Sequence, residues 1–257
     1  MAKVIVISSG KGGVGKTMTA INLASALNQL GKETILVDSN LTTPNVAISL
    51  GAPVVPVTLN HVLQGKKSIY EAVYQHHSGT KIVPASLALK DLKGISAMKF
   101  SQAINELKKH ADYIIIDSAA GLGHEALLPF QVADELFIVT NPETTAVTDA
   151  LKTIKVAEKM NKQVSVIINR IRKDKTEIPD KEIKMMIEKP ILARIPEDNA
   201  LRESLALRDA VVHTHPKSAS ARAYKKLAEK IIGIKHEQKL KEKTNKPSFF
   251  EWIFKKD

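Results

Sequence analysis

Seven short runs of near-continuous apolar residues recur along the chain, at 4–7, 34–37, 81–84, 113–116, 135–139, 164–168 and 191–195. Several are almost wholly isoleucine and valine, the composition of strands covered on both faces. Between them the apolar positions take a helical period, most clearly at 145–160 and 219–232. The run Ala20-Ile21-Asn22-Leu23-Ala24-Ser25-Ala26-Leu27 has the same helical character. This alternation predicts an α/β fold, a mostly parallel β-sheet with helices on both faces. Polar residues follow five of the predicted strands: Asp38-Ser39-Asn40, Asp117-Ser118, Thr140-Asn141, Asn169-Arg170 and Pro196-Glu197-Asp198. One such end would be ordinary turn or cap chemistry. Five predict a single ligand-binding rim, because parallel sheets bind ligands at the carboxyl ends of their strands.

Composition sets the limits. A chain of 257 residues can bury the core of one α/β domain, expected over 1–234. Residues 235–247 are rich in lysine and glutamate and read as a charged linker to a tail at 248–257. A hydrophobic fraction of 44% and a charged fraction of 25% are those of a soluble globular protein. With no cysteine, disulfides, iron–sulfur ligation and thiolate zinc sites are excluded together. No charged leader with an apolar core precedes the first strand, and no apolar run reaches the ~20 residues of a membrane span. A cytoplasmic protein is expected. The net charge of +11 suits nucleic acid, an anionic membrane surface or a solvated lysine-rich exterior, and position must decide among them.

The sharpest chemistry lies after the first strand. Gly10-Lys11-Gly12-Gly13-Val14-Gly15-Lys16-Thr17, followed by Met18, matches G-x-x-x-x-G-K-[ST] between a strand and a helix. The glycines let backbone N–H groups turn inward onto phosphate oxygens, and the helix N-terminus adds partial positive charge. Lys16 is expected at the β- and γ-phosphates and the Thr17 hydroxyl on Mg²⁺. Asp117 closes the apolar run Tyr113-Ile114-Ile115-Ile116. An aspartate there can hold Mg²⁺, usually through water. The backbone N–H of Gly121 is expected near the γ-phosphate.

Lys11, a second lysine inside the loop, makes the string 11–17 resemble the deviant phosphate loop of the MinD/ParA ATPases. Spacing alone shows a phosphate loop with one surplus positive charge. The resemblance implies a P-loop NTPase fold, ATP with Mg²⁺, and a homodimer in which Lys11 crosses to the partner's nucleotide. Residues 117–121 are similar to the family's second switch, with Ala119 where the family usually has proline. The family's first switch usually reads Asp-x-Asp, its second aspartate activating the attacking water. Here the segment is Asp38-Ser39-Asn40. An amide can orient water but cannot take its proton. Phosphoryl transfer rests mainly on positioning and charge stabilisation, so slow hydrolysis is expected rather than none. The implied catalytic set is Lys11, Lys16, Asp38 and Asn40, and Asp38 joins Thr17 and Asp117 around the metal. Asn169 and Pro196-Glu197-Asp198 are similar to the family's adenine-contacting segments, which implies ATP over GTP. The resemblance spans about 3–233, and nothing diagnostic falls in 51–99.

The tail carries Phe249, Phe250, Trp252, Ile253 and Phe254, which on a helix would cover an arc of about 200°. Lys246, Lys255 and Lys256 flank them. Apolar residues among lysines fit a short helix lying in an anionic membrane interface. Such a segment could also dock on the protein's own core or in a protein groove. One short tail would bind weakly, whereas two on an ATP-bound dimer gain ~10²–10⁴-fold in effective affinity.

The sequence therefore reads as an ATP-dependent dimerising switch, reversibly peripheral on the inner face of the cell membrane. It would hydrolyse ATP slowly, position a division site or similar structure, and be read by a protein partner. The alternatives are a ParA-like DNA-partitioning ATPase, using the basic excess to hold DNA, and an ATP-binding scaffold with little hydrolysis.

Overall fold

Successive residues of the central strands alternate between two apolar layers. Val4, Val6, Ile114, Ile116, Leu136 and Ile138 belong to one buried cluster. Their neighbours Ile5, Ile7, Ile115, Phe137 and Val139 belong to the other. Period-two alternation with both sets apolar is what a sheet between two helical layers requires. The computed structural model describes residues 2–52, 54–172 and 174–234. The expected linker at 235–247 and the tail residues Phe249, Phe250, Trp252, Ile253 and Phe254 lie outside the described residues.

The strands are β1 Lys3–Ser8, β2 Thr34–Asp38, β3 Tyr74–Gln75, β4 Lys81–Val83, β5 Tyr113–Asp117, β6 Glu135–Thr140, β7 Gln163–Ile171 and β8 Ile191–Pro196. They form one sheet in the order β3-β4-β2-β5-β1-β6-β7-β8. All seven predicted strands are present. The eighth, β3, pairs antiparallel with β4 through only Tyr74 and Gln75, too short to leave an apolar signature.

The helices are α1 Lys16–Gln29, α2 Val46–Ser49, α3 Leu59–Leu63, α4 Ala97–Leu107, α5 His124–Leu127, α6 Thr144–Lys159, α7 Asp180–Ile187, α8 Ala200–Ala206, α9 Val211–Thr214 and α10 Ala219–Ile231. Helices α1, α9 and α10 cover the Ile5 face, with Ile21, Leu23, Leu27, Val212, Tyr224 and Leu227 buried against it. Helices α3, α4, α6 and α7 cover the Val4 face, through Leu63, Phe100, Ile104, Val147, Ile154 and Ile183. Each large side chain so buried contributes roughly 1.5–3 kcal/mol before conformational entropy is subtracted. Parallel pairing aligns the strand ends that matter: Ile7 of β1 stands opposite Asp117 of β5, and Asp117 opposite Asp38 of β2. The carboxyl ends of β2, β5, β1, β6, β7 and β8 thus open on one side of the sheet, the side on which the sequence pattern places its polar strand ends.

Candidate functional site: a phosphate loop with two flanking loops

The glycines of the loop do different work. A Cβ on Gly10 would lie 2.1 Å from the Asp149 carbonyl oxygen, so Gly10 lets β1 end directly against α6. Gly15 has φ +99°, and a Cβ there would lie 2.1 Å from Asn169 Nδ2. Only glycine combines that backbone with that close approach. The loop is closed from within by Ser9 Oγ, which donates to the Lys11 carbonyl at 2.7 Å. From outside, Asn169 Nδ2 donates to the Val14 carbonyl at 2.7 Å.

Behind the loop is a cavity of about 330 Å³ lined by Gly12, Gly13, Gly15, Lys16, Thr17, Met18, Asn40, Thr43, Asn45, Ala120 and Arg170. A larger cavity of about 570 Å³ under α7 contains none of the loop and has an apolar floor of Pro142, Ile168, Ile171 and Ile178. Chemistry, not size, identifies the phosphate site. Lys16 is 9% exposed, and burial pulls its ammonium below the ordinary value, partly offset by the charge of Asp117. Thr17 Oγ1 donates to Asp117 Oδ2 at 2.6 Å. Asp117 Oδ1 is buried and has no hydrogen-bond partner among the described residues. A hydroxyl beside an orphaned carboxylate oxygen, at the mouth of a phosphate loop, fits Mg²⁺. Thr17 and Asp117 would hold the ion, whose chemistry is to neutralise phosphate charge.

Asp38 is fully buried and accepts three backbone N–H groups, from Asn40 at 3.1 Å, Asn45 at 3.1 Å and Val46 at 3.0 Å. It anchors loop 39–45 and caps α2. It does not line the phosphate cavity, and three of the roughly four acceptor sites of a carboxylate are taken by its own loop. Burial pushes its carboxyl up; Asp117's charge adds to that, and the three N–H groups oppose it. Burial also raises Asp117, against the Thr17 hydrogen bond and the Lys16 charge.

Asn40 does reach the cavity wall. Its Nδ2 donates to the Thr43 carbonyl at 2.6 Å, and its Oδ1 accepts from Thr43 N at 3.3 Å and Thr43 Oγ1 at 3.1 Å. The amide is thus engaged within its own loop. That loop is tied to the one after β5, where Thr42 N donates to Glu125 Oε1 at 2.8 Å and Thr42 Oγ1 to Glu125 Oε2 at 2.5 Å. Gly121 has φ +86°, and its N–H donates to the Ser9 carbonyl at 3.0 Å. A γ-phosphate contact from that N–H requires this bond to open.

Lys11 is 44% exposed and folds over α6, with Nζ 3.8 Å from Glu143 Oε2 and 3.4 Å from Thr145 Oγ1. The segment expected at adenine is divided. Asn169 is 3% exposed and touches the loop, and its Oδ1 is buried without a partner among the described residues. Pro196 ends β8 against α10 instead. Glu197 N donates to the Ile171 carbonyl. Asp198 is spent as a joint, accepting from Ala200 N, Ser220 N and Ser220 Oγ at 2.9–3.0 Å. None of these three lines the phosphate cavity.

Sequence reasoning did not single out Thr43, Asn45 or Ala120 as lining residues, and placed Arg170 only among the polar strand ends of the rim. Arg170, directly after Asn169, lines the cavity with φ +55°, a conformation rare for a non-glycine residue. A cation following a strand-closing asparagine was the available signal.

The ParA family model, described as NUBPL iron-transfer P-loop NTPase, matches residues 1–232. An uncharacterized ATP-binding protein of Methanocaldococcus jannaschii is 36% identical over 256 residues, covering 99% of this chain and 96% of its own length. The septum site-determining protein MinD of Pyrococcus horikoshii, solved with Mg-ADP, superposes with a TM-score of 0.86 at 33% identity, covering 91% of this chain and 97% of its own. The MinC:MinD cell division complex of Aquifex aeolicus superposes with a TM-score of 0.83 at 30% identity, covering 90% and 96%. Lacking cysteine, the present chain supplies no thiolate for iron.

Proposed function

The chain belongs to the ParA family of P-loop NTPases and is an ATPase of the MinD/ParA type, and from that premise we propose that it is a slow, ATP-dependent dimerising switch. Lys16, Thr17 and the N–H groups of 12–17 bind the phosphates, and Thr17 with Asp117 holds Mg²⁺. The Mg-ADP in the Pyrococcus relative supports that ligand. Loops 39–45 and 117–125 respond to the γ-phosphate, and Lys11 leaves Glu143 to reach the nucleotide of a second copy. Asn40 replaces the usual carboxylate, so turnover is slow and the dimer long-lived. The paired tails, through Phe249, Phe250, Trp252, Ile253 and Phe254, hold the dimer on an anionic membrane. A protein partner then reads it there, a role supported by the MinC complex of a relative. Among the described residues no helix is long and apolar enough to cross a membrane.

The observation that carries this reading is Lys11 itself. It is an exposed cation inside a phosphate loop, outside the lining of the cavity and held only by Glu143 at 3.8 Å and Thr145 at 3.4 Å. The test is light scattering after gel filtration with Mg·ATP and with Mg·ADP, on the parent and on Lys11→Ala. A dimer is expected with ATP in the parent only. A parent that stays monomeric when saturated with Mg·ATP overturns the switch. Co-sedimentation with anionic liposomes and with plasmid DNA, under both nucleotides, separates membrane from DNA as the surface marked.

A further inference from the structure

Helix α10 carries Arg222, Lys226 and Lys230 at four-residue intervals, all exposed. Like charges at this spacing weaken a helix slightly, so the stripe is not explained by helix stability. None of the three forms an ion pair among the described residues. Arg222 donates to the Lys217 carbonyl, and Lys230 Nζ to the Leu192 carbonyl at 3.4 Å. Together with the half-buried Leu192, Ala193 and Ala223, these cations line a groove of about 410 Å³ without an acidic side chain in its walls. The groove runs beside β8, which pairs only with β7 and forms one edge of the sheet among the described residues. An open edge is a template for another strand.

From these observations we infer that the α10–β8 groove docks an extended acidic segment of a partner protein, added to the edge of β8. Two spacings agree. Four residues of helix advance about 6 Å. Alternate side chains of an extended strand are about 6.6–6.8 Å apart. Acidic side chains at every second position would therefore meet Arg222, Lys226 and Lys230 in turn. The intervening side chains would face away from the cations. Main-chain hydrogen bonds would supply affinity and the cations would select the partner, the division of labour of strand addition. The chain's own residues 235–257 are a poor occupant. They hold seven lysines and four acidic residues, a net charge of +3. Nucleic acid would satisfy the cations but would leave the strand edge unused.

The test uses the full chain and a fluorescein-labelled decapeptide of alternating glutamate and valine, followed by anisotropy. Saturable binding is expected, with Kd raised at least tenfold by Arg222→Glu with Lys226→Glu and by N-methylation of alternate peptide bonds. Replacing the peptide glutamates by lysine should abolish binding. Unchanged binding of a fluorescent ATP analogue checks that the variant is folded, and Lys226→Gln serves if the double reversal is not. Absence of saturable binding to the parent overturns the proposal. Equal affinity for the charge-reversed protein overturns the role of the cations. Undiminished binding of the N-methylated peptide overturns strand addition. A labelled 20-base-pair DNA that binds at least tenfold tighter than the peptide, and loses that advantage on charge reversal, reassigns the groove to nucleic acid.

Discussion

Asn169 Nδ2 occupies the space that a side chain on Gly15 would need, 2.1 Å from where its Cβ would lie, and the same nitrogen donates to the Val14 carbonyl. The loop's conformation is thus set by a residue 155 positions away. Gly15→Ala should displace Asn169 and strain a backbone at φ +99°, abolishing detectable ATP binding. Asn169→Ala keeps the glycine but leaves a buried carbonyl unpaired, costing about 1–3 kcal/mol. A lower melting temperature and about tenfold weaker ATP binding by calorimetry are expected, and unchanged affinity would show that the loop holds its shape without Asn169.

Asn40→Asp should raise single-turnover hydrolysis at least about tenfold, within the 10²–10⁴-fold range of a positioned base. The new carboxylate loses the donor that holds the Thr43 carbonyl at 2.6 Å, leaving only the bonds it accepts from Thr43 N and Oγ1 to hold it in its loop. A rate no faster than the parent's would mean that position 40 does not limit turnover.

Glu125 is the clasp between the two loops. Glu125→Ala removes both hydrogen bonds to Thr42, at 2.8 and 2.5 Å. The pair is exposed, so global stability should fall by less than about 1 kcal/mol. Loop 39–45 should nonetheless become a preferred site of limited proteolysis, with cleavage several-fold faster than in the parent. Equal cleavage rates would show that Asp38 alone secures the loop.

Burial raises both Asp38 and Asp117 above the ordinary value of 3.8. For raised carboxyls the sign is definite. Their stabilising contribution is complete below that value and is lost as pH rises through the folded values, because ionising them in the folded state is the costlier event. The nucleotide- and metal-free protein should resist urea better at pH 5 than at pH 7.5. Asp38→Asn should flatten that dependence, while losing only the bond to Asn40 N if its amide oxygen keeps the other two. Parallel pH profiles for parent and variant would count against Asp38 as the source.

Much of this was legible in the chain. Apolar runs of isoleucine and valine fixed seven of eight strands, and residues 10–17 fixed the phosphate loop, because both signals are local in sequence. Register between parallel strands then carried Asp117 to Thr17 and Asp38 to the rim, as the polar strand ends implied. What the sequence could not say is how each polar atom is used. Asp38 and Asp198 stand as candidate ligands in one dimension, and only the fold shows that three N–H groups and the Ser220–Ala200 corner also bond to their oxygens. Arg170 lines the site from a left-handed backbone conformation, and the Thr42–Glu125 clasp spans 83 positions. Sequence by itself determined which residue types stand at the carboxyl ends of the strands, since that follows from local pattern. Only the tertiary structure decided which of them remain free for a ligand, since a buried oxygen must satisfy its hydrogen bonds with whatever the fold brings near.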